Sequence, residues 1–172
     1  MAEDRHTVLI VYYSETGNTR AVADALDKAL DATVERISAP LFDDHRSFWL
    51  FSWRLVTALV GGAAKVAPPQ HDPAGFDLVV LASPVWGGRL STPMRGYLKD
   101  FRGRFRNVAY VSTQTGEHPG RIFTDFAQIL HKHGIARLSV SEPDRRSHHD
   151  TKKIADFAAD LRAAMQPDPI PR

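Results

Sequence analysis

The chain has 172 residues, of which 43% are hydrophobic and 24% are charged, and its formal net charge is +2. These values predict one globular domain over residues 1–172, with an ordered core at about 7–165 and a disordered, proline-rich tail at 167–172. So small a charge gives no reason to expect nucleic-acid binding. Because the sequence has no cysteine, thiol catalysis and disulfides are excluded, and redox chemistry would require a bound cofactor.

Two further observations concern where the protein acts. No run of the sequence approaches the roughly 20 apolar residues of a membrane-spanning helix. The charged residues 1–6 lead straight into the first apolar run and lack the pattern of a signal peptide. We therefore expect a cytoplasmic protein without a membrane span.

The first apolar run, Val8 to Tyr13, predicts a buried strand, and a short polar loop follows it. After this loop, apolar residues fall on one face of a predicted helix: Val22, Ala25, Leu26, Ala29 and Leu30. Backbone N–H groups at the start of a helix bind anions, and a glycine lets the backbone approach a ligand closely. We therefore predict a phosphate cradle formed by Ser14, Glu15, Thr16, Gly17, Asn18 and Thr19. An ordinary capped turn between strand and helix is the alternative.

The residues missing from this loop narrow the choice of ligand. A Walker A loop ends in Gly-Lys-Ser/Thr, and this loop has no lysine, so ATP hydrolysis is not expected. A dinucleotide-binding loop needs three glycines where this loop has one. The pattern instead predicts a single terminal phosphate that is held and not transferred.

The second predicted strand, Thr33 to Ile37, mixes polar and apolar residues, as strands at a sheet edge do. The connection after it concentrates aromatic residues in segment 42–60, and we expect a helix near 45–60 that is apolar on more than one face. Three interpretations remain open for this segment: a crossover helix in the core, a homodimer contact, or a wall over a bound ligand. A membrane-surface helix is disfavoured because Arg46 and Arg54 are its only basic residues.

The third predicted strand, Leu78 to Ala82, is an apolar run typical of a central strand, and the loop after it places an aromatic ring beside two glycines. Trp86 can stack on a flat heteroaromatic ring, and Gly87 or Gly88 lets a peptide group change its orientation. The residues predicted to contact the ligand here are Pro84, Val85, Trp86, Gly87 and Gly88. The alternative is a buried tryptophan in a glycine-rich turn.

Thr92 and Pro93 begin a predicted helix that continues to Phe101. The basic loop 101–106 is interpreted as a solvated connection, with docking of an acidic partner as the alternative. The fourth strand, Val108 to Val111, is followed by a loop with small polar groups. We predict that four of its residues contact the ligand: Thr113, Gln114, Thr115 and Gly116.

A helix at 122–130, a fifth strand at 137–140 and a last helix at 154–165 complete the pattern. Because helical stretches separate all five strands, right-handed crossovers predict a parallel sheet, and the polar second and fifth strands belong at its edges. The predicted fold class is therefore α/β, a three-layer arrangement in which helices cover both faces of a five-stranded parallel sheet of order 2-1-3-4-5.

The sequence Ser14 to Thr19 resembles the phosphate loop of the flavodoxin family, whose members bind FMN. This resemblance implies the flavodoxin-like fold, in agreement with the strand order above, and FMN as the cofactor. In that family a peptide of the second loop turns its carbonyl toward flavin N5 on one-electron reduction, a pattern that Trp86 to Gly88 resembles, and the third loop meets the pyrimidine edge. Pro84-x-Trp86 followed by Pro93 is also similar to flavodoxin-fold NAD(P)H:quinone oxidoreductases.

Five of the histidines lie near the predicted site or in closely spaced pairs. His118 is the titratable ring closest to the predicted site and is a candidate proton donor to a quinone, with a plain surface histidine as the alternative. No other catalytic residue is predicted. The His131-x-His133 and His148-His149 pairs lack a matching set of carboxylates or thiolates, so no metal site is predicted.

The residues and the resemblance together leave three functional hypotheses. The first is an FMN-dependent oxidoreductase that passes electrons from NAD(P)H or a reductase to a quinone-like or protein acceptor. The second is a non-enzymatic one-electron carrier, a flavodoxin, that shuttles between redox proteins; many such carriers are acidic, whereas this chain is not. The third is a flavodoxin-fold scaffold without cofactor, against which the intact phosphate loop argues.

Overall fold

The computed structural model describes residues 7–43 and 62–166. Within these ranges the strands are β1 (Val8–Tyr12), β2 (Thr33–Arg36), β3 (Leu78–Trp86), β4 (Arg89–Leu90), β5 (Asn107–Gln114) and β6 (Arg137–Ser141). The helices are α1 (Asn18–Leu30), α2 (Pro40–Asp43), α3 (Thr92–Asp100), α4 (Ile122–Leu130), α5 (Glu142–Arg146) and α6 (His149–Met165). No helix of this described part is long and apolar enough to cross a membrane. The helix predicted near 45–60 and the predicted disordered tail 167–172 lie outside the described residues.

Five of these strands form one parallel sheet in the spatial order β2-β1-β3-β5-β6. This order equals the predicted 2-1-3-4-5 when the short β4 is left out, so the predicted fold class is confirmed. The prediction lacks β4, which pairs antiparallel with the end of β3, because two residues are too few to carry a periodic pattern. The strands β3 and β5 also extend further than predicted, to Trp86 and Gln114.

Side chains of the central strands alternate between two apolar layers. Leu9 and Val11 pack in the layer that contains α3 and α4, whereas Val8 and Ile10 pack in the layer that contains α1 and α6. Because helices cover both faces, both sets of side chains are buried, and the strands read as continuous apolar runs. The predicted three-layer arrangement follows directly from this packing.

The edge strand β2 carries a buried carboxylate. Glu35 is only 7% exposed, and it accepts hydrogen bonds from the backbone N–H groups of Gln70 at 2.6 Å and His71 at 2.9 Å. A polar residue of this edge strand is therefore buried. Glu35 holds the segment that contains Gln70 and His71 against the sheet. The same connection packs closely on α3 at Ala64. A Cβ at Gly96 would overlap the Ala64 carbonyl oxygen.

A buried ion cluster joins the short β4 and α3 to α4. The Asp125 carboxylate, 2% exposed, accepts hydrogen bonds from Arg89 Nε at 2.9 Å, Arg95 Nη2 at 2.7 Å and the Leu90 backbone N–H at 3.0 Å. Burial alone would raise the pKa of Asp125, but the hydrogen bonds from Arg89 and Leu90 and the charge of Arg95 outweigh it. The pKa of Asp125 therefore lies below its ordinary value.

Replacing Asp125 with asparagine should lower the free energy of unfolding by about 3 kcal/mol at pH 7, because two guanidinium groups lose their counter-charge. Urea unfolding followed by circular dichroism measures this difference. The pKa is lowered in the folded state, so the carboxylate stabilises the fold above its unfolded pKa of about 3.9. This contribution is lost as the pH falls through the folded pKa, and the two proteins should converge in stability at low pH.

The control for this experiment is Asp72→Asn, which removes an ion pair with Arg104 in which both side chains are 51% exposed. Exposed ion pairs contribute little to stability, so this variant should unfold almost like the wild-type protein. Equal effects of the two substitutions would contradict the role of Asp125 as a buried anchor.

Candidate functional site

A cavity of about 170 Å³ opens at the carboxyl edge of the sheet, among the loops after β1, β3, β5 and β6. Ligands of open parallel sheets bind at this edge, where the strand order reverses. The cavity is lined by Glu15, Thr16, Asn18, Thr19, Pro84, Val85, Trp86, Thr113, Gln114, Thr115, Val140, Glu142 and Arg145. The structure thus brings together most of the predicted site residues, whose contact with a ligand stays a prediction. The exceptions, which do not line the cavity, are Ser14, Gly17, Gly87, Gly88 and Gly116.

The loop before α1 is shaped from inside by Ser14. Its buried hydroxyl accepts hydrogen bonds from the backbone N–H groups of Gly17 at 3.1 Å and Arg20 at 3.3 Å. Gly17 has a φ of +88°, a left-handed conformation that residues with a Cβ rarely adopt. Ser14 and Gly17 therefore set the path of the loop, and their neighbours form the wall of the cavity.

The first turn of α1 presents backbone N–H groups to the cavity. Among the described residues, the backbone N–H groups of Thr16, Asn18 and Thr19 find no acceptor, and all three residues line the cavity. Backbone N–H groups without acceptors at the positive end of a helix dipole are suited to an anion. Thr16 is exposed, whereas Thr19 is buried, with its hydroxyl 2.8 Å from that of Thr113 on β5. The Thr19 side chain thus ties α1 to β5.

The second wall is a two-residue hairpin at the end of β3. Trp86 pairs with Arg89 across it, and Gly87 and Gly88 form the turn with φ values of +57° and +74°. Positive φ at both turn residues is the pattern of a type I′ turn, whose twist matches that of the paired strands. Glycine adopts this conformation without strain, which explains the Gly-Gly pair that the sequence places here.

The hairpin contacts the loop after β5 through a hydrogen bond and close backbone packing. The Gly88 carbonyl accepts a hydrogen bond from the Arg121 backbone N–H at 2.7 Å. Gly120 lies so close that a Cβ there would overlap the Gly88 carbonyl oxygen, so no larger residue fits at this position. The pairing of Trp86 with Arg89 holds the other side of the turn. Neither of these interactions involves the peptide group between Gly87 and Gly88.

Two aromatic rings support Trp86 from behind. The indole meets the Tyr13 ring edge-on, with centroids 5.8 Å apart, and stacks on the Phe42 ring at 6.1 Å and 29°. The Tyr13 hydroxyl donates a hydrogen bond to the Phe42 carbonyl at 3.2 Å, which joins the two supports. Phe42 belongs to the aromatic segment 42–60, whose remainder from 44 onward lies outside the described residues. The half-buried Trp86 ring is therefore held in one orientation at the cavity wall.

The third wall comes from the end of β5. The Gln114 side-chain amide donates to the Ser139 hydroxyl at 2.6 Å, whereas its buried Oε1 has no hydrogen-bond partner among the described residues. An unsatisfied buried acceptor at a cavity wall is suited to an N–H donor of a ligand. Gly116 and His118 are exposed and lie outside the lining of the cavity, so the proton-donor role of His118 stays a prediction.

A fourth element, α5 after β6, contributes Glu142 and Arg145, which the sequence reasoning missed. The helix begins with a capping box, in which the Ser141 hydroxyl accepts from the Asp144 backbone N–H at 3.2 Å and the Asp144 carboxylate accepts from the Ser141 backbone N–H at 2.8 Å. The Ser-x-x-Asp spacing directly after the last predicted strand is a visible signal for such a helix start. A helix that starts directly after this strand begins at the edge of the sheet where ligands bind.

The Asp144 carboxylate that holds α5 in place is ionised over a wide pH range. Burial alone would raise the pKa of Asp144, but the Lys153 ammonium at 2.7 Å and hydrogen bonds from Ser141 lower it to about 2. From this fixed helix the Arg145 guanidinium donates a hydrogen bond to Asn18 Oδ1 at the first residue of α1.

The histidine pairs lie at helix ends. Within residues 7–43 and 62–166, no group of three or more His, Cys, Asp or Glu side chains is placed to hold a metal ion. His131 follows α4 with a φ of +52° and His148 precedes α6 with a φ of +57°. Both therefore occupy left-handed positions at helix boundaries.

Comparison with known protein families and with curated proteins finds no match to this chain. Solved structures do match. A flavoprotein in complex with FMN from Lactobacillus acidophilus is 20% identical, with a TM-score of 0.66 over 84% of this chain and 97% of that one. A flavoprotein from Bacteroides eggerthii is 14% identical, with a TM-score of 0.68 over 89% of this chain and 98% of that one. A Fusobacterium nucleatum flavodoxin bound to flavin mononucleotide is 13% identical, with a TM-score of 0.59 over 94% and 99%.

These matches extend over 84–94% of this chain and 97–99% of the matched chains, and they agree with the strand order and the two helical layers. The chain therefore has the flavodoxin-like fold.

Proposed function

We propose that this protein binds FMN at the carboxyl edge of its sheet and acts as an oxidoreductase that moves electrons from NAD(P)H or a reductase to a quinone-like acceptor. The observation that carries the proposal is the set of N–H groups without acceptors at the start of α1, next to a cavity that Trp86 and Gln114 also line. The structures of similar fold whose names include FMN support the same cofactor.

The residues present fit FMN at three points. The phosphate would be held by the backbone N–H groups of Thr16, Asn18 and Thr19, with the exposed Thr16 hydroxyl as a further donor. The Trp86 ring offers a face for the isoalloxazine, and the unpaired Gln114 Oε1 offers an acceptor to an N–H group of that ring system. Bound FMN would supply the redox chemistry that no side chain of this cysteine-free protein supplies.

The one-electron carrier is the second candidate. Because this chain is mildly basic, its redox partner would be an acidic protein, unlike the partners of acidic carriers. The basic loop 101–106 would then contact that partner. Two of its arginines are already paired, however, Arg104 with Asp72 and Arg106 with Asp77, which lowers the free positive charge of that loop. This pairing favours the interpretation of the loop as a solvated connection.

Anaerobic mixing with NADPH separates the two candidates. If the protein is an NAD(P)H-linked oxidoreductase, the FMN-loaded form should lose its absorbance at about 450 nm within seconds, and a quinone added afterwards should restore it. Loss of absorbance only when a separate reductase is added, with no recovery when the quinone follows, would favour the carrier. Stopped-flow absorbance measures both, and the FMN-loaded protein without NADPH is the control.

Replacing Thr16 with alanine and Gly17 with valine together should abolish FMN binding and the yellow colour of the purified protein. The first change removes the exposed hydroxyl, and the second places a β-branched residue at a φ of +88°, which distorts the loop. Flavin content per protein, by absorbance after denaturation, is the measurement, and circular dichroism checks the fold.

The matched control is Gly103→Val. Gly103 has a φ of +89° and, like Gly17, has no other atom within 4 Å of the place that a Cβ would occupy, so the backbone penalty is equivalent. Gly103 does not line the cavity, however, and this variant should keep its FMN. A double variant at Thr16 and Gly17 that retains one FMN per chain would rule out the phosphate assignment.

Trp86→Ala should weaken FMN binding by about tenfold or more, because the aromatic face for stacking is lost. The Phe42 and Tyr13 rings, which contact the indole, do not replace that face. Trp86→Phe keeps an aromatic ring and should fall between the alanine variant and the wild-type protein. Fluorescence titration of free FMN gives the dissociation constants. Unchanged affinity and visible spectrum in the alanine variant would mean that Trp86 does not contact the flavin.

A further inference from the structure

Arg145 brings a positive charge to the anion site from the far end of the sequence. It is half-buried, it lines the cavity, and its guanidinium donates to the side chain of Asn18, the first residue of α1. The capping box of α5 and the Lys153–Asp144 ion pair fix the short helix that carries it. Arg145 therefore stands beside the N–H groups assigned to the phosphate.

The charge of Arg145 is not balanced by a carboxylate within the described residues. Its partner is the neutral Asn18 amide, which uses part of a guanidinium with five N–H donors. Of the two carboxylates at the cavity wall, Glu142 is paired with Arg146 and Glu15 makes an interaction of its own. A guanidinium with unused donors beside a helix N-terminus suits a phosphate better than any neutral ligand.

Arg146, the next residue in the same helix, shows the contrast. Its side chain is 77% exposed, it pairs with Glu142, and it does not line the cavity. Two successive arginines on one short helix thus have different surroundings, because neighbouring residues of a helix point in different directions. This difference provides a control that matches Arg145 in residue type, helix and net charge.

We infer that Arg145 is a specificity-determining residue, which binds the phosphate of FMN through its charge and so selects the phosphorylated flavin over uncharged riboflavin. The inference rests on the proposed function, since it assigns a further contact to the same ligand. The hydrogen bond to Asn18 holds the guanidinium in place before the phosphate arrives, so little ordering is needed on binding. The loop after β1 then supplies hydrogen bonds, and α5 supplies the charge.

The test is a titration of the FMN-free protein with FMN and, separately, with riboflavin, at low and at high salt. Arg145→Ala should weaken FMN binding by about ten- to a hundredfold at low salt and leave riboflavin binding unchanged, because a hydrogen bond to a charged group is lost only for FMN. Salt should weaken FMN binding to the wild-type protein more than to this variant. Arg146→Ala removes the same charge outside the cavity and leaves Glu142 unpaired, so it should weaken FMN binding much less than Arg145→Ala and leave riboflavin binding unchanged.

Arg145→Gln and Arg145→Lys separate charge from position. The glutamine variant can still donate to Asn18 without a charge, so it should bind FMN as weakly as the alanine variant. The lysine variant keeps the charge and should recover part of the affinity. Circular dichroism and thermal unfolding check that each variant is folded.

Four results would overturn the inference. Unchanged FMN affinity in Arg145→Ala would exclude the contact, and equal losses for FMN and riboflavin would show that Arg145 only joins α5 to α1. A glutamine variant with wild-type FMN affinity would exclude a role for the charge. A wild-type protein that binds neither flavin would refute the proposed function itself, and this inference with it, which distinguishes that failure from the other three.

Discussion

Parallel pairing of β1, β3, β5 and β6 brings four carboxyl ends to one edge of the sheet, and every wall of the cavity depends on that arrangement. The loops after these strands are far apart in sequence, yet the common direction of the strands makes them neighbours. Helices on both faces force the direction, since each must cross back over the sheet before the next strand begins. The chemistry of the site therefore depends on the packing of Leu9, Val11 and their neighbours far below it.

The loops at this edge are held by polar bonds in buried positions. The hydroxyls of Thr19 and Thr113 join α1 to β5, and Asp125 holds β4, the second arm of the hairpin, through the Leu90 N–H. Buried hydrogen bonds of this kind are costly to break, because each partner would be left unsatisfied. The site is thus arranged before a ligand enters, which reduces the ordering that binding requires. Groups that remain unsatisfied, such as Gln114 Oε1, then mark where a ligand is expected.

Much of this arrangement could be predicted from the sequence, because strand order and loop position follow from apolar runs. Trp86 and Gln114 lie at the cavity for the reason that the prediction gives, namely that each closely follows a central apolar run. Arg145 could not be placed in the same way, because its partner Asn18 is 127 residues away and its helix is little more than one turn. The burial of Glu35 could not be predicted either. Its carboxylate accepts hydrogen bonds largely from backbone N–H groups, and these groups leave no signal in the choice of residues.

The contact between Gly88 and Gly120 has a consequence for protein engineering. The Gly88 backbone of the hairpin occupies the space that a side chain at position 120 of the loop after β5 would need. A hairpin transplanted from another protein of this fold would bring its own turn against Gly120, and a transplanted third loop would bring a side chain against the Gly88 carbonyl. Working chimeras should therefore exchange both loops as one unit, with the bond from the Arg121 N–H carried along.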